Sequence, residues 1–295
     1  MNSKPKVGIL SPGDMGHSVG QVLRDHGIEI ITCLQGRSLR TKNLAEQAGF
    51  RCVSSYAELT VACDILLSIL VPAQAYACAK RVAAALQNNP AELLYVDCNA
   101  VSPQTVKRIA GLTQQAGAAF VDASIIGPPP REQGVTRFYA SGVKAPVFAA
   151  LSHFGLDIRV LGDEIGRGSA IKMCYASSTK GFAALCLELM TAAQALGVSE
   201  ALLEEFQISQ PALYERLQRS LPAVPAKARR FVGEMEEIAA TYQALGLTPE
   251  IFQGAAAMYE LLGGTALADR LPEDDNLPDF ETVLDTMVQA LPKTR

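Results

Sequence analysis

What this chain lacks narrows its class before any motif is read. Its seven cysteines, at positions 33, 52, 63, 78, 98, 174 and 186, never form a CxxC pair. Neither a disulfide framework nor a zinc ribbon is expected. The three histidines stand at no metal-ligand spacing, so no structural metal is expected either. A net charge of -4 lacks the basic footprint that nucleic acid or an anionic membrane would demand. No stretch approaches the ~20 uninterrupted apolar residues of a membrane span. The opening MNSKPKVGIL passes from a short charged lead into a strand-like run without the apolar core of a secretory leader. Internal repeats and low-complexity tracts are missing too. These absences lead to the expectation of a cytoplasmic protein with reduced core cysteines, whose partner is a small molecule.

What is present is an ordinary globular composition, 49% hydrophobic and 19% charged over 295 residues, long enough for two domains with real cores. The first half alternates strand and helix. Residues 7–10 (VGIL) form an apolar run, followed by SPGDMG and then by VGQVLRDHG with helical periodicity. The turn, Ser11, Pro12, Gly13, Asp14, Met15 and Gly16, has the spacing of the dinucleotide fingerprint with serine at its first glycine. Gly13 would let the backbone approach a pyrophosphate, Gly16 would allow close helix packing, and the helix N-terminus would supply N–H groups and a positive dipole end. Ser11 restricts the turn, and Pro12 removes one N–H donor.

The second strand, 28–34, ends in QGRSLR, where an NAD site would present an acid to the ribose. No acid stands there. Arg37, Ser38 and Arg40 suit a 2′-phosphate, which favours NADP(H) over NAD(H); a polar loop with solvated arginines is the plain alternative. Further strands are expected at 64–71, 93–98, 119–124, 137–141 and 157–161, with helices at 73–86, 103–116 and 145–154. Ligands of open α/β sheets sit beyond the carboxyl ends of strands, so Val71, Pro72, Asn99 and the loop 124–131 should line the cleft.

After Gly166 the strand signal ends. The stretch GRGSAIKMCYASSTKG, 166–181, places Lys172, Tyr175 and Thr179 at helical intervals on one face. It opens a candidate helix over 169–196, apolar on most faces. Helices follow at 209–220, 226–245, 249–262 and 280–291, with the acidic LPEDDNLPD as a surface loop. The expected fold is α/β: a Rossmann-type doubly wound sheet over 1–165, then an all-α domain over 166–295, joined by a long interdomain helix. Taken alone, a lysine on such a helix reads as solvated.

The order SPGDMG, GRS, SILVP, VDCNAVSP, VDASIIGPPP and GRGSAIKM resembles the β-hydroxyacid dehydrogenases, the superfamily that includes 6-phosphogluconate dehydrogenase. The likeness extends over about residues 6–200 and is greatest for 6-phosphogluconate dehydrogenase-like oxidoreductases with a short helical C-terminal domain. It implies an NAD(P)-binding domain followed by a substrate and dimerisation domain, and the long apolar helix with its small C-terminal half leads to the expectation of a homodimer. The family's catalytic lysine falls on Lys172, as general base in alcohol oxidation and general acid in reduction. Asn99 falls where the family has a serine near the nicotinamide, and Val71 and Pro72 fall on its cofactor-contacting strand end. Lys180 is a candidate neighbour that could tune the Lys172 pKa.

The sequence departs from the family in three places. The carboxylate-binding S-G-G is Ile126, Gly127, Pro128, and the prolines at 128–130 offer no backbone N–H. The asparagine pair after the lysine is Tyr175 and Ala176, leaving Tyr175 and Thr179 as polar groups. A C-terminal K-D-L becomes EEI at 236–238, with EMEE read as a solvated helix face. The resemblance therefore implies hydride transfer between nicotinamide and an alcohol or carbonyl carbon, with Lys172, Asn99 and Tyr175 in the catalytic set. Ser124, Ile126, Gly127, Pro128, Arg131 and Thr179 are candidates for substrate contact, Arg131 or Tyr175 as the anchor. An imine-reducing variant and a silent dinucleotide-binding scaffold are the alternatives.

Overall fold

In the computed structural model, residues 4–270 and 277–292 are described. The expected loop at 271–279 therefore lies mostly outside the described residues. The first half alternates β1 (Val7–Leu10), α1 (Asp14–Asp25), β2 (Ile30–Cys33), α2 (Leu39–Gln47), β3 (Arg51–Val53), α3 (Tyr56–Ala62), β4 (Ile65–Ser68), α4 (Pro72–Asn88), β5 (Leu94–Asp97), α5 (Pro103–Gln115) and β6 (Ala119–Ile126). It continues with β7 (Arg137–Ser141), α6 (Ala145–Ala149) and β8 (Asp157–Val160). The sheet runs β3-β2-β1-β4-β5-β6-β7-β8. Strands β1 to β6 are parallel, β7 lies antiparallel to β6, and β8 is parallel to β7. The order 3-2-1-4-5-6 is that of dinucleotide-binding sheets.

Strand composition explains why both faces are covered. Successive side chains of a strand point to opposite faces. Ile9, Ile30, Leu67, Val96 and Val121 join one core cluster with Val19 and Leu23 of α1 and Phe148 of α6. Their chain neighbours Leu10, Ile31, Leu66, Tyr95 and Phe120 join the other, with Leu59 of α3, Val82 of α4 and Ile109 of α5. Apolar residues on both faces of the central strands are what a parallel sheet sandwiched by helices requires.

The chain divides into two compact units after Met173, within α7 (Arg167–Ala176) rather than before it. The start of α7 is tied to the sheet through the Asp122 carboxylate of β6. The second unit contains α8 (Phe182–Ala195), α9 (Ser199–Ser209), α10 (Pro211–Ser220), α11 (Ala228–Ala244), α12 (Glu250–Gly263) and α13 (Phe280–Ala290). Here α11 packs on α12, and α8 on α12 and α13; Phe231 meets Tyr259 edge-on at 5.2 Å.

The expected regular helix over 169–196 is interrupted. Residues Ser177–Gly181 form a π-helical turn. Ser177, Ser178 and Thr179 donate their hydroxyls to the carbonyls of Cys174, Tyr175 and Tyr175, a local competition that disturbs α-helical bonding. Such turns often mark functional positions. This one delivers Lys180 into the helical core, where its ammonium pairs with Glu234 of α11. Tyr259 donates to the Lys180 carbonyl at 2.6 Å, and the Lys180 Nζ stands 4.8 Å from the Phe231 ring centroid. Burial lowers the Lys180 pKa, against the pull of Glu234. The reading of EMEE as a solvated face is thus corrected at Glu234, which is 4% exposed; Glu236 is exposed.

Removing one member of a buried pair strands the other charge. Glu234→Ala should destabilise the helical unit by about 3 kcal/mol or more, whereas replacing Lys180 and Glu234 together by methionine should cost much less. Urea unfolding of the single and double variants measures both.

Candidate active site

The turn after β1 is built by local backbone geometry. Ser11 adopts a left-handed φ of 61°, the conformation for which the fingerprint prefers glycine. The Gly13 N–H donates to the Ser11 carbonyl at 2.7 Å. A Cβ on Gly16 would stand 2.8 Å from that carbonyl oxygen, while one on Gly13 would meet nothing within 4 Å. Gly16 is therefore needed for packing, and Gly13 faces open space. Helix α1 starts at Asp14 with no side chain capping its N-terminus. An open approach, an uncapped helix end and a tight turn fit a dinucleotide pyrophosphate. The Asp14 carboxylate is engaged by Arg131 at 2.6 Å.

Beyond β2, Ser38 caps α2, accepting from the Thr41 N–H at 3.2 Å. The Arg37 guanidinium donates to the Tyr56 hydroxyl at 3.3 Å and lies 4.0 Å from the Cys78 sulfur. Its Nε is buried without a hydrogen-bond partner. Burial raises the Tyr56 pKa, Cys78 adds to the rise, and Arg37 opposes it.

The end of β4 is fastened by Asn99. Its side-chain carbonyl accepts from the Leu70 N–H, its amide donates to Ser68 Oγ at 2.9 Å, and its own N–H donates to Asp97 at 3.0 Å. Asn99 is 1% exposed, so it joins the ends of β4 and β5. Val71 is 41% exposed and precedes Pro72 at the start of α4.

The lysine is placed by a strand. Asp122 lies in the middle of β6 and is fully buried. Its carboxylate accepts from the Gly166 N–H at 2.8 Å, the Ser169 N–H at 3.0 Å and the Ser169 hydroxyl at 2.8 Å. Ser141 donates to it at 3.2 Å and accepts from the Gly168 N–H at 3.1 Å. The start of α7 is thereby capped by a residue 44 positions earlier in the chain. Gly168 packs so closely that a Cβ would stand 2.7 Å from the Asp122 carbonyl oxygen and 2.8 Å from that of Tyr139. One turn on, Lys172 Nζ donates to the Ile125 carbonyl at 2.6 Å, near the carboxyl end of β6. Since β1, β4, β5 and β6 are parallel, that end shares an edge of the sheet with the Ser11–Gly16 turn.

Within the first unit, Ile126 is buried and the Ser124 hydroxyl is buried without a partner. Gly127 has a φ of 123° and a Cβ direction only 2.1 Å from the Val135 carbonyl oxygen. The Pro128 carbonyl accepts from the Thr136 hydroxyl. Tyr175 and Thr179 belong to the second unit. Tyr175 is 46% exposed, and the Thr179 hydroxyl is spent on the Tyr175 carbonyl.

Comparison with known proteins decides the lineage. Residues 6–153 match the model of the NAD binding domain of 6-phosphogluconate dehydrogenase, and residues 193–262 match a domain of unknown function (DUF1932). The chain belongs to the β-hydroxyacid dehydrogenase family. An uncharacterised 28.5 kDa protein of Methanothermus fervidus is 32% identical over 199 residues, 68% of this chain and 75% of that one. Bovine mitochondrial 3-hydroxyisobutyrate dehydrogenase is 26% identical over 207 residues, but the match spans 57% of its length. Among solved structures, a conserved protein of unknown function described as similar to 3-hydroxyacid dehydrogenases shares 32% identity, with a TM-score of 0.65 over 87% of this chain and 96% of its own. A 3-hydroxyisobutyrate dehydrogenase from Salmonella typhimurium shares the fold, at 18% identity and a TM-score of 0.69 over 96% of this chain and 99% of its own.

Sequence reasoning singled out Lys172 of this dehydrogenase family member but missed Asp122, Ser141 and Ser169, which hold its helix. A signal was available: an acid inside the apolar run AFVDAS must find buried donors. Tyr56 and Cys78 beside Arg37 carried no such signal, since both read as core residues.

Gly168→Ala should lower stability by about 1–3 kcal/mol, because both opposing oxygens belong to the backbone of the sheet. Urea unfolding checks this. Burial also pushes the Asp122 carboxyl above its usual range, outweighing the donors that pull it down. A carboxyl with a raised folded pKa keeps its proton in the folded protein after the unfolded chain has lost it, so stability falls as pH rises through that interval. The stability of the parent protein minus that of Asp122→Asn should therefore decline as pH rises from about 4. Thermal unfolding across pH measures it, and a rising difference would contradict it.

Proposed function

We propose that this chain is an NADP(H)-dependent oxidoreductase that moves hydride between nicotinamide and an alcohol or carbonyl carbon of a small polar substrate, with Lys172 as general acid/base. The placement of the Lys172 ammonium at the carboxyl end of β6 carries the reading, because open α/β sheets bind ligands beyond that edge. The Ser11–Gly16 turn would hold the pyrophosphate. Bound nicotinamide would supply the two-electron hydride chemistry. In oxidation, neutral Lys172 Nζ would take the substrate hydroxyl proton as the carbon bearing that hydroxyl gives up its hydride to the nicotinamide; in reduction, its ammonium would return a proton to the oxygen of the carbon that has received the hydride. Ile125 keeps the Nζ oriented through its carbonyl, and Asp122 positions the helix that carries it. The 1–173 unit would serve cofactor binding, and the helical unit substrate binding and dimerisation.

The preference for the phosphorylated cofactor rests on the lack of an acid in QGRSLR and on the Arg37 guanidinium, whose Nε lacks a partner. NADPH should bind at least about tenfold more tightly than NADH, as an Arg–phosphate contact allows, and Arg37→Ala should erase that difference. Lys172→Ala should abolish hydride transfer with NADPH affinity unchanged, measured by nicotinamide fluorescence and absorbance. Retained turnover would sink the lysine's role. NADPH binding by the parent protein without turnover of any hydroxyacid, aldehyde or imine would favour the silent-scaffold reading.

Leu185, Leu196, Ile208, Leu245 and Ile251 of the helical unit are 56–80% exposed. A groove of about 540 Å³ between α8 and α12 is lined by Phe182, Leu185, Ile251 and Phe252, with Arg216 at its wall. Such surface favours a homodimer, and a monodisperse monomer in sedimentation at micromolar concentration would contradict it. The seven cysteines are unpaired, which supports a reducing, cytoplasmic setting; no helix among the described residues is long and apolar enough to cross a membrane.

A further inference from the structure

We propose that Arg131 is a pyrophosphate-binding residue of the cofactor site, held by Asp14 in the free protein and drawn over by the cofactor when it arrives. The inference rests on the cofactor reading above and moves Arg131 from substrate anchor to cofactor contact.

Asp14 is the first residue of α1 and follows Gly13 directly. Its carboxylate occupies the positive end of the helix dipole, where a pyrophosphate would also settle. Two anions at one helix end repel each other, so binding needs a cation that can serve both. Arg131 is that cation, reaching the turn from 117 residues away with an Nη2 to Oδ1 distance of 2.6 Å. The loop that carries it, GPPPREQG at 127–134, contains no other cation and three prolines. Prolines donate no N–H, which makes the Arg131 guanidinium the loop's charged donor to a phosphate. The root of the loop is fixed by Gly127, whose backbone abuts Val135, and by the Thr136 bond to the Pro128 carbonyl. The guanidinium is thus delivered to the turn by a stiff arm.

The pair is built to exchange. The Arg131 side chain is 63% exposed and that of Asp14 35%, and exposed ion pairs are weak and easily exchanged. The guanidinium's planar fork can grip a phosphate in two-toothed fashion. Its other edge remains free to face Asp14, which offsets the repulsion between the two anions.

Fluorescence titrations of the full-length protein with NADPH and NADH test the proposal in Arg131→Ala, Asp14→Asn and the double variant. Both cofactors carry the pyrophosphate, so Arg131→Ala should weaken both by the same factor, about tenfold. Asp14→Asn keeps the side-chain shape, removes the competing anion and frees Arg131, so it should tighten both about threefold. The double variant loses the cation together with the anion that repels the phosphate, so it should bind both cofactors more tightly than Arg131→Ala and less tightly than Asp14→Asn. Arg131 is exposed and Asp14 only part-buried, so melting temperatures should stay close to that of the parent and separate binding from folding. A loss confined to NADPH would make Arg131 a reader of the 2′-phosphate and overturn the proposal. Unchanged affinities in Arg131→Ala, or weaker binding in Asp14→Asn, would also overturn it while leaving the cofactor reading intact. Failure of the parent protein to bind either cofactor would remove both.

Discussion

A single buried carboxylate organises the candidate site. Asp122 stands in the centre of β6, out of contact with solvent, in a place where an ionised group is strongly disfavoured unless donors surround it. Its donors are the Gly166 and Ser169 amides and the Ser169 and Ser141 hydroxyls. Those groups are the start of α7 and the end of β7, so satisfying the carboxylate places the helix. Glycine at 168 follows from the same demand, because only a residue without Cβ can lie against the Asp122 and Tyr139 carbonyls. The spacing G-x-G-x-x-x-K is then a geometric result. Glycine permits the turn and the close approach, and one helical turn beyond Ser169 the lysine meets the Ile125 carbonyl. Strand β6 fixes the helix at residue 122 and the lysine tip at residue 125.

The cofactor turn obeys a different constraint, the handling of charge at a helix end. Ser11 takes a left-handed backbone without glycine's freedom, a strain that persists only where the surrounding structure enforces it. Packing of Gly16 against the Ser11 carbonyl is part of that enforcement. Asp14 then puts a negative charge where the helix dipole favours one, and Arg131 balances it. The helical unit meets its own charge problem in the opposite way. There a π-helical turn carries the part-buried Lys180 inward to pair with the buried Glu234, which Arg230 also reaches at 3.6 Å, so the pair is less open to solvent than that of Asp14 and Arg131.

Legibility in the sequence followed how strongly each element's residues repeat. The strands VGIL, DILLSILV and LLYVDC are apolar runs bounded by turn residues, and they contain β1, β4 and β5, although β4 ends at Ser68 instead of continuing to Val71. Helix α9 was not anticipated, because only Phe206 along it is buried and no apolar stripe marks it. The π-helical turn escaped too: SSTKG reads as helix until its three hydroxyls are seen to bond back to the preceding turn. Lys172 was legible because a family pattern surrounds it, whereas Arg131 was legible only as a cation in a proline-rich loop. Its partner 117 residues earlier is a product of the β6–β7 connection, which no local pattern encodes. Asn99 illustrates the converse, a residue singled out for its motif that the fold uses to join the ends of β4 and β5.

The claim that β6 sets the position of the lysine helix can be read directly from hydrogen exchange. The Gly166 and Ser169 amides both donate to the Asp122 carboxylate. If that carboxylate anchors α7, these two amides should exchange only through unfolding of the whole sheet unit, with opening free energies equal to its global stability. Exchange at the rate of an exposed loop amide, such as that of Gly134, would show that the helix start opens independently of the strand and would contradict the account.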